Sequence, residues 1–248
     1  MKYKALIFFL FILVSSVLFA EYDISIPNKA YQDQNYTKAK EGYEEVVKQG
    51  VENFILFYNL GNTYFKLGEK GLARLYYEKA KRFQPQNKEL SQNIDLLKST
   101  LKDKEETQET FLEQVAQNIF YFFSINLLTI FGIASFMILM LITAFMVISR
   151  SDVSKKIIRA FMLLFSILFV FFLIFTVTRL MQFHSKNSAV ILGETVLAYS
   201  GPTQEFEQVF TIHEGLKVKI EKFDGDWVLI KLPTGNGGWI LKENIGEI

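Results

Sequence analysis

Two uncharged stretches govern what this chain can become: residues 114–149 and 160–178 contain no Asp, Glu, Lys, Arg or His. As helices rising ~1.5 Å per residue, each can cover the ~30 Å hydrocarbon core of a bilayer. Neither has a polar face, so a pair of buried helices in a soluble domain is the poorer solution. The expectation is a transmembrane helical hairpin. Its first segment covers 119–148, with an aromatic, interfacial approach (NIFYFFSIN, 118–126) before the crossing proper at 127–148, and its second span covers 160–178. The loop between them, 149–159, carries Arg150, Lys155, Lys156 and Arg159 against Asp152. Positive loops stay in the cytoplasm, which puts both soluble parts outside. Spans without ionisable groups lack the residues that usually mark an ion path or proton relay, which argues against a channel or pump for the hairpin alone. Ser135, Thr143, Ser166 and Thr176 can bond either across the hairpin or back to their own helix carbonyls.

Charge matches this layout. The net charge of +1 divides into −2 for residues 21–118, +6 for the leader, hairpin and loop together with Arg179, and −3 for the remainder. The positive excess is a topological signal, and neither soluble part is basic enough for nucleic acid. With no cysteine there is no disulfide, thiolate metal site, cysteine nucleophile or lipoprotein anchor. Residues 1–20 read as a signal peptide, with Lys2 and Lys4 ahead of an apolar run at 5–18. Cleaved after Ala20 or retained as an anchor, this leader exports the chain from residue 21 onward, in agreement with the loop charge.

Residues 21–101 carry a helical repeat. Phe57-x-x-Leu60-Gly61-x-x-Tyr64, then Ala73-x-x-x-Tyr77 and Pro85, resembles the tetratricopeptide pattern, with Phe for the usual Trp and Tyr for the usual Phe. Gly61 and Ala73 are small where two helices cross closely, Leu60, Tyr64, Tyr77 and Ala80 fill the interface, and Pro85 ends the second helix. The repeat period places Ala39 and Tyr43 opposite Ala73 and Tyr77, with Tyr36 in the preceding turn, which marks a degenerate first repeat. Pro27 stands where the Gly61 equivalent falls and suits a helix start. Leu90, Ile94, Leu97 and Leu101 share one helical face and cap the stack. The first helices of such a stack form a concave surface for an extended peptide or partner helix, here offering Tyr58, Asn59, Asn62, Phe65 and Lys66. Asn59 and Asn62 suit a partner's backbone, although one of them can instead bond within its own helix, and Lys66 suits a carboxylate. A charged linker occupies 102–118.

After a juxtamembrane linker at 179–188, residues 189–248 change to short apolar runs (AVIL, TVLAY, LKVKIEKF, DWVLIKL, GWILKENI) separated by turns at Gly201, Gly215, Gly225 and 235–238. A small all-β barrel is expected. The order Gly201-Pro202, Glu214-Gly215-Leu216-x-Val218, Gly225-x-Trp227-x-x-Ile230 and Gly238-Trp239-Ile240 resembles the bacterial SH3 family. Leu197-Ala198-Tyr199 stands where that family often has Asn-Val-Arg, a departure at its surface groove. Tyr199, Trp227 and Trp239 are the groove candidates, with at least one tryptophan expected in the core.

The two histidines, His184 and His213, lie far apart in sequence without a carboxylate-rich setting, and there is no nucleophile motif, phosphate-binding glycine loop or HExxH. No catalytic residue, metal ligand or cofactor is nominated, and the chain reads as non-enzymatic. The fold class is therefore a multi-domain membrane protein: an all-α tetratricopeptide stack, a transmembrane hairpin and a C-terminal SH3-like barrel. This order is similar to that of the BatE-type proteins of the Bacteroides aerotolerance operon. Asn28-Lys29-Ala30-Tyr31, Asn35-Tyr36, Phe57-Tyr58-Asn59-Leu60-Gly61-Asn62 and Asn93-Ile94 carry the resemblance within the stack. It implies an inner-membrane scaffold working with von Willebrand A-domain membrane proteins and a MoxR-type ATPase in envelope integrity or oxidative-stress tolerance. The alternative is a wall-binding protein whose barrel holds peptidoglycan, with the repeats as spacer.

Overall fold

A computed structural model describes residues 22–104, 111–148, 152–185 and 187–248. The leader at 1–20, like parts of the charged linker and of the hairpin loop, lies outside the described residues.

Five helices build the N-terminal stack: α1 (Ser25–Gln32), α2 (Tyr36–Lys48), α3 (Phe54–Leu67), α4 (Lys70–Phe83) and α5 (Lys88–Thr100). Asparagine side chains start three of them. Asn35, Asn53 and Asn87 accept from the backbone N–H of Lys38, Leu56 and Leu90 at 3.2, 2.9 and 3.0 Å, satisfying donors that a helix N-terminus leaves open. Asn53 and Asn87 stand one repeat apart. The turns keep the same period, since Gly68 ends α3 at φ 80° and Gln34 takes the equivalent left-handed position at φ 59°.

Inside the stack, Ala39, Tyr43, Leu60, Tyr64, Ala73, Tyr77, Ala80, Leu90, Ile94 and Leu97 are buried in one cluster. The close crossing expected at Gly61 is present: a Cβ there would lie 2.6 Å from Tyr77 Cδ1. In the first pair the small residue moves to the second helix, where Gly42 receives Pro27; a Cβ on Gly42 would stand 2.9 Å from the Pro27 ring.

The hairpin comprises α7 (Ile125–Ile148) and α8 (Asp152–His184), preceded by the short α6 (Phe111–Tyr121). α7 and α8 are long and apolar enough to cross a membrane. Phe131–Phe172 and Phe136–Phe169 ring pairs, 5.5 and 5.4 Å between centroids, join them. Their outward apolar side chains have no protein cover: Leu141 is 69% and Leu163 65% exposed. That is the reverse of a soluble core helix. Ser135 and Thr143 donate to their own helix, at Phe131 O and Leu139 O. The second helix is longer than the span expected at 160–178. It starts at Asp152, inside the basic loop, and runs to His184, through most of the linker expected after residue 178, because Lys, Arg and Gln are good helix formers and the end of an apolar run does not end a helix.

Seven strands form the C-terminal sheet: β1 (Ser188–Ile191), β2 (Thr195–Tyr199), β3 (Gln208–His213), β4 (Lys217–Asp224), β5 (Trp227–Lys231), β6 (Gly237–Leu241) and β7 (Ile245–Glu247). All pairings are antiparallel, in the order β3-β2-β6-β5-β4-β1-β7. Ile212 of β3 shares one core with Ala189 of β1 and Ile245 of β7, from the other end of that order, so the sheet is rolled around its own interior. Alternation along β5 and β6 sends Val228, Ile230 and Ile240 inward. Trp227 and Trp239 therefore point the other way and are half-buried at the surface, which corrects the expectation that one would be core.

The sheet does not hang free of the stack. It docks on α4, where Leu75, Val190 and Ile248 form a separate apolar cluster. Gly71 lets the helix approach β1 directly: a Cβ there would meet Ile191 O at 3.0 Å and Leu192 Cα at 3.2 Å. Its N–H donates to Glu214 Oε2 at 3.1 Å. At the end of α5, Asp103 accepts from the His213 backbone N–H at 2.6 Å and contacts its ring Nδ1 at 2.9 Å. Lys217 of β4 reaches Glu78 of α4 at 2.7 Å, and Glu78 also holds Arg74 at 2.9 Å.

Candidate functional site

The first helices of the stack, α1, α3 and α5, bring a row of asparagines together. Asn28 Oδ1 accepts from the Tyr43 hydroxyl at 2.6 Å and from Asn59 Nδ2 at 3.2 Å. One repeat on, Asn62 Oδ1 accepts from the Tyr77 hydroxyl at 2.7 Å and from Asn93 Nδ2 at 3.0 Å. Each junction thus has the same wiring: an asparagine on the first helix bonds a tyrosine on the second helix of its pair and an asparagine on the next first helix. Asn93 also donates to the Tyr58 hydroxyl at 3.1 Å.

The tyrosines are fixed as donors. Burial pushes the Tyr43 phenol up to about 12, with the bond to Asn59 working the other way. Burial likewise raises Tyr77 well above the ordinary phenol range, so both rings stay protonated across physiological pH. Tyr64, raised by burial and by its hydrogen bond to Glu44, completes a third tie between helix pairs.

Of the five concave candidates, the structure places Asn59 and Asn62 in this ladder, where their polar atoms bridge the stack. Tyr58 is half-buried, stacked on Phe54 at 5.5 Å between centroids and held by Asn93. Phe65 is half-buried against the core and Lys66 is exposed. Helical spacing adds Ile55, one turn before Tyr58 and 53% exposed, and Leu96, which is 54% exposed at the position that Asn62 holds one repeat earlier. Sequence reasoning missed Asn28, Asn93, Ile55 and Leu96. The signal was available in the repeat offset, which aligns Asn28 with Asn62 and Asn59 with Asn93. The docked sheet occupies α4 on the opposite, second-helix side.

In the sheet, Tyr199, Trp227 and Trp239 are brought together. Tyr199 and Trp227 meet edge to face with centroids 5.6 Å apart, Tyr199 stands opposite Trp239 in register, and Lys222 Nζ lies 5.8 Å from the Trp239 ring. Among the described residues, no cluster of three or more His, Asp or Glu side chains is placed to hold a metal ion.

Residues 54–87 match the tetratricopeptide repeat family model. The matched stretch is α3, α4 and the turn that leads to α5, so it contains Tyr58, Asn59 and Asn62 together with the Gly61–Tyr77 crossing. No curated protein matches the chain. The tetratricopeptide repeat is an interaction module rather than a catalytic one, and its concave face is the surface that such stacks use. The pair α1–α2 repeats the asparagine–tyrosine wiring of the matched tetratricopeptide repeat, and α5 supplies the next first helix without a second.

Proposed function

We propose that the chain is a non-enzymatic, membrane-anchored adaptor that takes protein partners on the concave face of its tetratricopeptide stack. The observation that carries this reading is the docking of the sheet on the second-helix side, which leaves Tyr58, Lys66, Ile55 and Leu96 facing away from it. The asparagine ladder makes that face rigid; Ile55 and Leu96 are its apolar contacts and Lys66 its charge. The hairpin crosses the bacterial inner membrane with the basic end of α8 in the cytoplasm, so that the stack and the SH3-like sheet stand on the periplasmic side. The resemblance to BatE-type proteins supports von Willebrand A-domain membrane proteins, with a MoxR-type ATPase, as the partner system and oxygen or stress tolerance as its setting.

Two experiments test this. Cross-linking in intact cells, with capture in mild detergent, is expected to recover A-domain membrane proteins with the wild type. An Ile55→Ser, Lys66→Glu variant should lose them at least tenfold with unchanged thermal stability, because both side chains are exposed. Recovery of wall fragments alone, lost when Tyr199 and Trp227 are replaced, would establish the peptidoglycan-binding alternative instead. For orientation, a cytoplasm-active reporter inserted within residues 151–156 should be active, whereas one fused after residue 248 should not; the opposite pattern inverts the topology.

A further inference from the structure

Where the apolar helices end, the stack, the hairpin and the sheet line an open pocket of ≈ 740 Å³. Among the described residues, four cationic side chains line it, Lys81 and Arg82 from the end of α4, Arg179 from α8 and Lys217 from β4, against one carboxylate side chain, Glu78. Glu78 is already held between Lys217 and Arg74. Among the described residues, no carboxylate forms an ion pair with Lys81, Arg82 or Arg179. Cations therefore outnumber carboxylates in the described lining, and Lys81 and Arg82 feel Glu78 and Glu52 only at a distance.

Its construction fixes the cations in place. Arg179 is 4% exposed, donates through Nη1 to Phe120 O at 2.6 Å and lies over the Tyr121 ring at 4.5 Å. A guanidinium has five N–H donors, so these contacts orient it without exhausting it. Arg82 lies 4.8 Å from the Phe183 ring, which itself meets Phe83 edge to face at 5.1 Å. Gln182 donates to the Tyr121 hydroxyl at 2.5 Å. Aromatic rings, amide and guanidinium groups at this level match the composition of a membrane–water interface.

We propose that this pocket binds the phosphodiester headgroup of an anionic phospholipid, with Lys81, Arg82 and Arg179 on the phosphate oxygens and the acyl chains running down beside Ile125. The proposal rests on the reading of α7 and α8 as membrane spans, since only then do the ends of these helices lie at headgroup depth. Bidentate guanidinium contacts suit phosphate geometry, and a buried, oriented arginine lining one pocket with a second arginine and a lysine is an arrangement that a free surface does not supply. A bound lipid would also tie α4, α6, α8 and the sheet to one another, because each of these elements contributes a wall.

The test uses the full chain in neutral detergent micelles, titrated with phosphatidylglycerol, with phosphatidylcholine and with inorganic phosphate, and read by thermal unfolding and by native mass spectrometry. Phosphatidylglycerol should raise the melting temperature and remain bound as a one-to-one adduct, while phosphatidylcholine should do neither. A Lys81→Gln, Arg82→Gln variant should bind phosphatidylglycerol about tenfold more weakly, as expected for the loss of charge-assisted contacts. Lys81→Gln alone provides a folded intermediate case, and Lys48→Gln on α2 should be without effect. Equal stabilisation by inorganic phosphate would overturn the lipid as ligand, and equal binding of phosphatidylglycerol by wild type and double variant would overturn the site. Carbonate extraction of membranes is run alongside. Release of the wild type by carbonate sinks the membrane reading, whereas retention without a phosphatidylglycerol response sinks the lipid site alone.

Discussion

Replacing Glu78 with alanine is expected to cost about 3–5 kcal/mol, the usual penalty for removing one partner of a buried ion pair. Glu78 is 4% and Arg74 1% exposed, and they sit one helical turn apart with 2.9 Å between Nε and Oε1. Alanine would remove the 2.9 Å contact to Arg74 Nε from a buried, low-dielectric setting. It would also remove the acceptor for Lys217, so the sheet loses a direct tie to α4. Burial raises the Glu78 carboxyl, but the nearby charges of Lys217, Arg74 and Lys81 and the hydrogen bond from Lys217 hold it well below the ordinary carboxylate range. A carboxyl depressed on folding stabilises the folded state above its unfolded pKa of ~4.3, and that contribution is withdrawn as pH falls through the folded value. Wild type should accordingly lose stability progressively below about pH 4, and Glu78→Gln should remove this part of the dependence. Denaturant unfolding of the detergent-purified protein, with limited proteolysis between stack and sheet, measures both effects. An alanine variant within about 0.5 kcal/mol of wild type, its sheet still protected, would refute a structural role for the pair.

How much of this architecture was legible in the sequence depends on the range over which each signal acts. Helical periodicity and the repeat pattern are local, so Gly61, Ala73, Tyr77 and the capping face of Leu90, Ile94 and Leu97 could be assigned without coordinates. The two long apolar helices were legible because apolarity is integrated over many residues. Docking of the sheet was not, because Gly71 meets Glu214, Glu78 meets Lys217 and Asp103 meets His213 across 143, 139 and 110 residues, and no period relates them. Nothing in a single charged residue on a solvated helix distinguishes Glu78 from its neighbours. The length of α8 was hidden for another reason: charge reports where a helix leaves the apolar phase, not where its hydrogen bonding stops. The placement of Trp227 and Trp239 was open to simple alternation, since Val228, Ile230 and Ile240 are the inward set and a tryptophan one position away must face outward. For the candidate site, Asn59 and Asn62 could be named from the sequence, but the asparagines they bond, Asn28 and Asn93, lay in the neighbouring repeats. The offset that identified Ala39 and Tyr43 also relates Asn28 to Asn62 and Asn59 to Asn93, and applying it to polar residues exposes the ladder.

The crossing at Gly61 joins this packing to the concave surface, and Gly61→Val is the second change expected to have a large effect. The first atom of any side chain there would stand 2.6 Å from Cδ1 and 2.8 Å from Cε1 of Tyr77. The Tyr77 ring cannot turn aside freely, being 1% exposed and tethered through its hydroxyl to Asn62 at 2.7 Å. Overpacking of this kind costs about 1–3 kcal/mol. Displacing the ring also breaks a buried hydrogen bond worth about 1 kcal/mol and leaves Asn62 with Asn93 alone. Valine should therefore destabilise the stack and loosen the face that carries Tyr58 and Lys66, so that partner capture falls together with stability. The first repeat shows how the conflict can be relieved, because there the bulk of Pro27 on the first helix is matched by Gly42 on the second. A Tyr77→Ala change made in the Gly61→Val background should consequently cost less than the same change in wild type, giving a favourable coupling in a double-mutant cycle. Strict additivity would show that the two side chains do not compete for one space, and the helix crossing assigned to the repeat would have to be placed elsewhere.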